Sequence, residues 1–347
     1  MNIDIVSFQD KHIDEAGALL AERHRRDRLS VPELPSRFDY PAVAAAAVAA
    51  TWQQAGVSGV AAQHASHLAG YMLGRRVIDE TWGRSAWVRP SGCALAPDED
   101  AELARELYAA LAAPWVDQGI FNHFAVLPVA DPASLQAWFS LSFGIEQVYA
   151  LADLAQIPLP PAPSTPGLMI RRAGPEDRQM LADFSDIIWR HQVQAPMWGV
   201  MLPEVVTEQR TGWAELADDA NVTVWLAFLD GEPVGCQGYW PAEPGGDDLL
   251  TPDGCCELSV AGTRPHARGR GVGTALTHHG LRHAREAGYR FCLTDWRSTN
   301  LLAARFWPRQ GFRPMAYRLA RRIDQRIAWA NPSAPRHESV DYPPPLQ

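Results

Sequence analysis

The chain has 347 residues, 47% hydrophobic and 20% charged, with a formal net charge of −9. That balance excludes a disordered or fibrous protein, and at about 150 residues per domain the length predicts two domains. A net negative chain has no general basic footprint, so nucleic acid is set aside as a partner.

The start, MNIDIVSFQD, has no basic stretch followed by an apolar one. No window reaches the ~18 uncharged apolar residues of a membrane helix, so the expectation is a cytoplasmic protein with no membrane partner. The run PAVAAAAVAA at 41–50 reads as a packed helix, alanine being the best helix former. After the strand SAWVRP, Ala-Pro-Asp98-Glu99-Asp100 leads into a helix with Leu103, Leu107 and Leu111 on one face. That helix is predicted to end at Gly119. A strand, FNHFAVLPV, and a helix carrying Trp138-Phe139 then run up to Phe143-Gly144.

Residues 157–167, IPLPPAPSTPG, hold five prolines and read as an extended linker. Beyond it LMIRR reads as a strand and 175–193 as a helix. TVWLAFLD and EPVGCQGYW are strands joined by Asp230-Gly231, a dipeptide that favours a tight hairpin. The strand CCELSVAGT runs into Arg264-Pro265 and then HARGRGVGTAL, residues 266–276. A helix ending at Gly288, the strand YRFCLTDW, a helix carrying Phe306-Trp307, and Gly311-Phe312 complete the second half. The five cysteines (Cys93, Cys236, Cys255, Cys256, Cys292) form no Cys-x-x-Cys pair, which indicates neither a disulfide framework nor a zinc site.

The two halves echo each other. Phe139 lies 20 residues after Gly119, and Trp307 lies 19 after Gly288. The reading is therefore two copies of one α/β fold, a mixed sheet with helices on both faces. The division is 1–156, a linker at 157–167, 168–330, and a loose tail at 331–347.

Three glycines at alternate positions before a helix leave bare amides facing outward, a natural cradle for phosphate. A nucleoside-triphosphate loop needs Gly-Lys-Ser/Thr, and no lysine stands near. A dinucleotide fingerprint fails at Thr274, where a glycine is needed. Arg268-Gly269-Arg270-Gly271-Val272-Gly273 instead matches the Arg/Gln-x-x-Gly-x-Gly/Ala loop of the GCN5-related N-acetyltransferases (GNAT). Asp295, Asn300, Ala303, Phe306 and Gly311-Phe312 match that family's downstream signature. The resemblance covers most of 168–325, and the chain looks like two tandem GNAT-like acyl-CoA acyltransferase domains with a degenerate first half. There, acidic residues occupy the field a pyrophosphate needs, and a proline removes a donor. The first domain is predicted not to bind coenzyme A, but to serve a structural or substrate-shaping role.

The resemblance implies an N-acetyltransferase with acetyl-CoA as co-substrate and no metal. It would acetylate a primary amine, in a small molecule, by direct attack on the thioester. By that resemblance Ala261, Gly262 and Thr263 pair with the pantetheine arm. Arg268, Gly269, Arg270, Gly271, Val272, Gly273 and Thr274 cradle the phosphates, and Asn300 contacts the coenzyme arm. Glu257 is the first candidate for general base, the alternative being an outward-facing strand glutamate. Asp295 is second, with a cap on the helix entered at Ser298-Thr299-Asn300, or a mixed role, as the favoured alternative. Trp307 stands where many family members place a thiolate-protonating tyrosine, and indole has no readily released proton. That departure keeps a non-catalytic acyl-CoA sensor open as an alternative, alongside a protein N-acetyltransferase. His279 and His283 lie four apart on one helix side, and packing is expected there rather than a metal site. Trp189, His191, Trp198 and Trp213 fall in the acceptor-side rim of the family, with core packing as the alternative. The expected assembly is a monomer with pseudo-dimeric halves, or a homodimer.

Overall fold

The structure, a computed structural model, describes residues 3–65, 67–158 and 165–330. The tail at 331–347 and the middle of the proline-rich linker, 159–164, lie outside the described residues. The first half runs β1 (Asp4–Ser7), α1 (Ile13–Ser30), α2 (Pro41–Trp52), β2 (Val57–His64), β3 (His67–Asp79), β4 (Gly83–Val88) and β5 (Cys93–Leu95). It continues through α3 (Leu103–Asp117), β6 (Asn122–Pro128), α4 (Pro132–Ser140) and β7 (Gly144–Asp153). The second runs β8 (Leu168–Arg172), α5 (Arg178–Phe184), α6 (Asp186–Gln192), α7 (Pro203–Glu215), β9 (Thr223–Leu229), β10 (Glu232–Pro241) and β11 (Cys255–Thr263). It continues with α8 (Val272–Glu286), β12 (Phe291–Arg297), α9 (Leu301–Phe306) and β13 (Arg313–Arg322), and a short helix, α10 (Ile327–Ala330), follows.

The thirteen strands among the described residues form one sheet, in the order β1-β2-β3-β4-β6-β13-β7-β12-β11-β10-β9-β8, with β5 paired to β3. The order is symmetric about the β13–β7 seam, and at that seam the halves exchange strands. β7, the last strand of the first half, pairs with β12, while β13, the last of the second, pairs with β6. Each half has one parallel pair, β4 with β6 and β11 with β12. Along the chain β7 ends at Asp153 and β8 begins at Leu168, yet each half of the sheet is completed by a strand from the other side of that interval.

Local rules account for most elements. Asp230 and Gly231 both adopt positive φ, 53° and 85°, the backbone a two-residue hairpin needs between β9 and β10. The helix expected over 175–193 is instead a 3₁₀ turn followed by α5 and α6, which break at Ser185. Arg264, at the end of β11, holds that break: it donates to the Asp183 carbonyl and to Asp186 Oδ1, each at 2.6 Å. A carbonyl released from the helix ladder thus finds a charged donor.

Leu107, Leu111 and Trp115 of α3 pack on the first half of the sheet, as Val272, Leu276 and Leu281 of α8 pack on the second. His279 and His283 meet the Trp225 ring edge-on, at 4.2 and 5.2 Å between centroids. Trp213 is buried in the core beneath α5 and α7, whereas Trp198 is 72% exposed. All five cysteines are free and buried. No helix among the described residues is long and apolar enough to cross a membrane.

Candidate functional site

The site begins where β11 and β12 part. Their pairing stops at Leu258 and Thr294, whereas β11 stays bonded to β10 as far as Thr263. Ser259 is an extra residue in the β10–β11 ladder, between the pairs Tyr239–Leu258 and Gly238–Val260. Such a bulge adds twist and helps swing the strand away from its neighbour. Beyond it the edge of β11 that faced β12 carries no strand, and its main-chain groups are open to an extended ligand.

A cavity of about 420 Å³ and another of about 500 Å³ flank this parting. The larger is lined by Ala261, Gly262, Thr263, Arg268, Gly269, Gly271, Val272, Gly273, Thr274, Asn300 and Trp307, with Ile187, Ile188 and His191 from α6. Gly269 and Gly271 hold φ of 76° and 81°, a region that side chains with a Cβ rarely enter. Gly271 is the N-cap of α8 and has no side chain to satisfy the helix amides. The first main-chain bond of the helix runs from Ala275 N to Gly271 O at 2.9 Å. The N–H groups of Val272, Gly273 and Thr274 come before it and meet no acceptor among the described residues. Three free amides at the positive end of a 15-residue helix fit a pyrophosphate.

Arg268 folds over this loop, Nε donating to the Thr263 carbonyl at 3.2 Å, and burial pushes its pKa down. Arg270 does not line the cavity; its guanidinium lies 3.8 Å from Asp230 on the β9–β10 turn. Asn300 caps α9, its Oδ1 accepting from Ala303 N at 3.2 Å, and lies 3.3 Å from His191 Nε2. Burial, then the charge of Arg268, lowers the His191 pKa, so its ring is neutral at pH 7. Trp307 is buried between Phe306 and Phe312, with ring centroids 4.9 and 5.4 Å away.

Gln237 forms part of this cavity and is 3% exposed. It accepts from the Tyr239 hydroxyl and donates to Thr277 Oγ1, both at 2.8 Å, and Thr277 donates to the Gly273 carbonyl at 2.9 Å. The chain of bonds ties the sheet to the first turn of α8. Burial raises the Tyr239 pKa well above its ordinary value, so this phenol holds its proton.

The smaller cavity lies on the opposite face of the sheet. Its apolar lining, Leu293, Tyr149 and Met315, belongs to a different core from Val272 and Trp307. Glu257 and Asp295 both line it, with Asp247 and Asp248 from the β10–β11 loop. The first half contributes Gln54, Arg89, Val126 and Tyr149. Glu257 is exposed and has no hydrogen-bond partner among the described residues. Asp295 accepts from Gln147 Nε2 at 2.8 Å. Gln147 Oε1 in turn takes a bond from Arg318, which also pairs with Glu146 at 2.8 Å.

Asp295 does not take the cap, or the mixed role with it, that its place before Ser298-Thr299-Asn300 predicts. Asn300 caps the helix, and Asp295 is drawn to Gln147 on the exchanged strand β7. The tryptophan-rich segment is likewise absent from the cavity that holds Glu257. Gln237 was readable as a lone amide in an apolar strand, whereas Arg89, Gln147 and Tyr149 belong to the other half and carry no local signal.

The acetyltransferase (GNAT) family profile matches residues 189–312. A GCN5-related N-acetyltransferase from Sphaerobacter thermophilus is similar in structure, at 16% identity and a TM-score of 0.56, over 92% of this chain and 95% of that one. The glucosamine N-acetyltransferase region of a fungal multi-domain GH3 β-N-acetylglucosaminidase is similar at 17% identity and 0.54, over 92% of this chain and 38% of that one. A tandem GNAT protein from the clavulanic acid biosynthesis pathway gives 14% and 0.49, over 92% and 98%. No curated protein matches the sequence significantly. At these identities the likeness to the first two speaks for a shared fold alone.

Proposed function

We propose, from the premise that residues 189–312 are a GNAT-family domain, that the protein transfers an acetyl group from acetyl-CoA to a primary amine of a small molecule. One observation carries this reading. A cavity with free main-chain amides and a cavity with an unpartnered carboxylate lie on opposite faces of the sheet and meet where β11 and β12 part.

In this reading the amides of residues 272–274, with Arg268, hold the pyrophosphate. The open edge of β11 at Ala261, Gly262 and Thr263 aligns the pantetheine arm as an added strand would. When bound, acetyl-CoA supplies an activated thioester carbonyl. Glu257, free of partners, takes the proton from the acceptor ammonium, directly or through a water. Asp295, engaged by Gln147, is better suited to orient the amine than to serve as base. Trp307 has an N–H to offer sulfur but no proton to release, so solvent protonates the departing thiolate.

A cavity of about 420 Å³ walled by both halves suits a small molecule better than a peptide. The absence of tyrosine among the residues lining the larger cavity favours a second reading, an acyl-CoA sensor without turnover. Amine-dependent release of free thiol from acetyl-CoA decides between them. Coenzyme binding with no thiol release across a broad amine panel establishes the sensor.

A further inference from the structure

The smaller cavity carries one group that acyl transfer alone does not use. Arg89, just beyond the end of β4, lays its guanidinium over the Trp87 ring at 4.6 Å from the centroid. None of its five N–H donors meets an acceptor among the described residues, and it keeps exposed surface within the cavity. Arg318, 5.9 Å from the same ring, shows what a satisfied guanidinium looks like here, with Glu146, Gln147 and Tyr149 all accepting from it.

The carboxylates around Arg89 are already committed elsewhere. Asp247 accepts from Gln54 at 3.0 Å, Asp248 from the Leu250 and Thr251 amides at 2.8 and 3.1 Å, and Asp295 from Gln147. Glu257 alone is uncommitted, and acyl transfer needs it. The side chain is exposed and lines the cavity, so its donors are free to meet a ligand there. A planar fork, steadied by an indole and with no protein acceptor among the described residues, matches a carboxylate or phosphate held by two parallel bonds.

We propose that the acceptor is an amine that also carries an anionic group, its ammonium beside Glu257 and its carboxylate or phosphate on Arg89. The first half then supplies the substrate's anchor and the second half the chemistry. The remaining acids set the direction of binding, since they attract the ammonium and repel the anionic end from everywhere but Arg89. This rests on the acyl-transfer reading above.

The test uses the full chain loaded with coenzyme A and titrated calorimetrically with three series of amines. These are ω-amino acids of two to six carbons, aminoalkyl phosphates of matching length, and the neutral amides of the acids. At one chain length an anionic amine should bind at least about tenfold tighter than its amide, and the series showing it tells carboxylate from phosphate. Arg89→Gln should abolish that preference while coenzyme affinity, which reports an intact fold, is kept. Arg89→Lys, which keeps the charge but not the fork, should retain part of it. The proposal is overturned if acids, phosphates and amides bind alike at every length, if none binds, or if Arg89→Gln keeps the preference. A preserved preference with no thiol release from acetyl-CoA supports the anchor and sinks acyl transfer alone.

Discussion

The first turns of α3 and α8 occupy equivalent places in the two halves, yet they treat their amides in opposite ways. In α8 a glycine N-cap with φ of 81° leaves three N–H groups without acceptors. At α3 the chain consumes its own donors. Asp100 Oδ1 takes the Glu102 amide at 2.9 Å, and the carbonyls of Asp100, Ala101 and Glu102 take the amides of Leu103, Ala104 and Arg105. The neighbouring cavity shrinks as well, to about 250 Å³. Arg23 reaches into it and donates to the carbonyls of Pro90 and Cys93. One fold thus leaves its helix-entrance amides free or consumes them, according to whether glycine or aspartate stands there.

Four experiments break or sharpen this contrast. The largest effect is expected at Glu257, where Glu257→Gln should slow acetyl transfer on the order of 10³-fold with coenzyme affinity unchanged. Steady-state kinetics beside calorimetry reads this, and a rate within threefold of the parent would remove Glu257 as base. Next comes the seam. Arg318 is 8% exposed and paired with Glu146, so Arg318→Met should cost about 3 kcal/mol in urea denaturation. A cost under about 1 kcal/mol would mean the exchanged strands do not depend on this network.

The third experiment exchanges the helix entrances. Gly271→Asp adds a Cβ at positive φ and a negative charge in the cradle, and should weaken coenzyme A on the order of 100-fold. Asp100→Ala should cost α3 about 1 kcal/mol and leave coenzyme affinity alone. Equal losses of affinity from both changes would erase the distinction between the halves.

The last effect vanishes at neutral pH. His24 and His123, both in the first half and 1% exposed, have pKa values lowered to about 4 by burial. The unfolded chain binds their protons near pH 6.5 and the folded one only near 4. Stability should therefore fall as pH drops from about 6.5 to 4 and level off below. His123→Asn, which keeps a polar group between Tyr108 and the Ile120 carbonyl, should flatten the curve over that interval. An unchanged slope in pH-dependent denaturation would show that His123 is protonated as easily folded as unfolded.

Much of the fold was legible because its signals are local. The Asp230-Gly231 hairpin, the Gly271 helix start and the Asn300 cap each follow from a residue's own backbone preference or from a side chain reaching three residues along. The exchange of β7 and β13 was not legible. Both strands pair antiparallel with either neighbour, and the hydrophobic pattern that sets a strand's face does not say which partner lies beside it. Asp295 shows the same limit at the site, since its partner, Gln147, stands 148 residues away.

By itself the sequence determined the two-copy layout, the glycine loop and the loss of that loop in the first half, because each depends on contacts within a turn or two of chain. Only the tertiary structure decided what surrounds Glu257. The second cavity takes Arg89 and Tyr149 from one half and its acids from the other, brought together by strands that cross a seam. Pairing between distant strands is settled by which surfaces can be buried together, and no stretch of sequence records that choice alone.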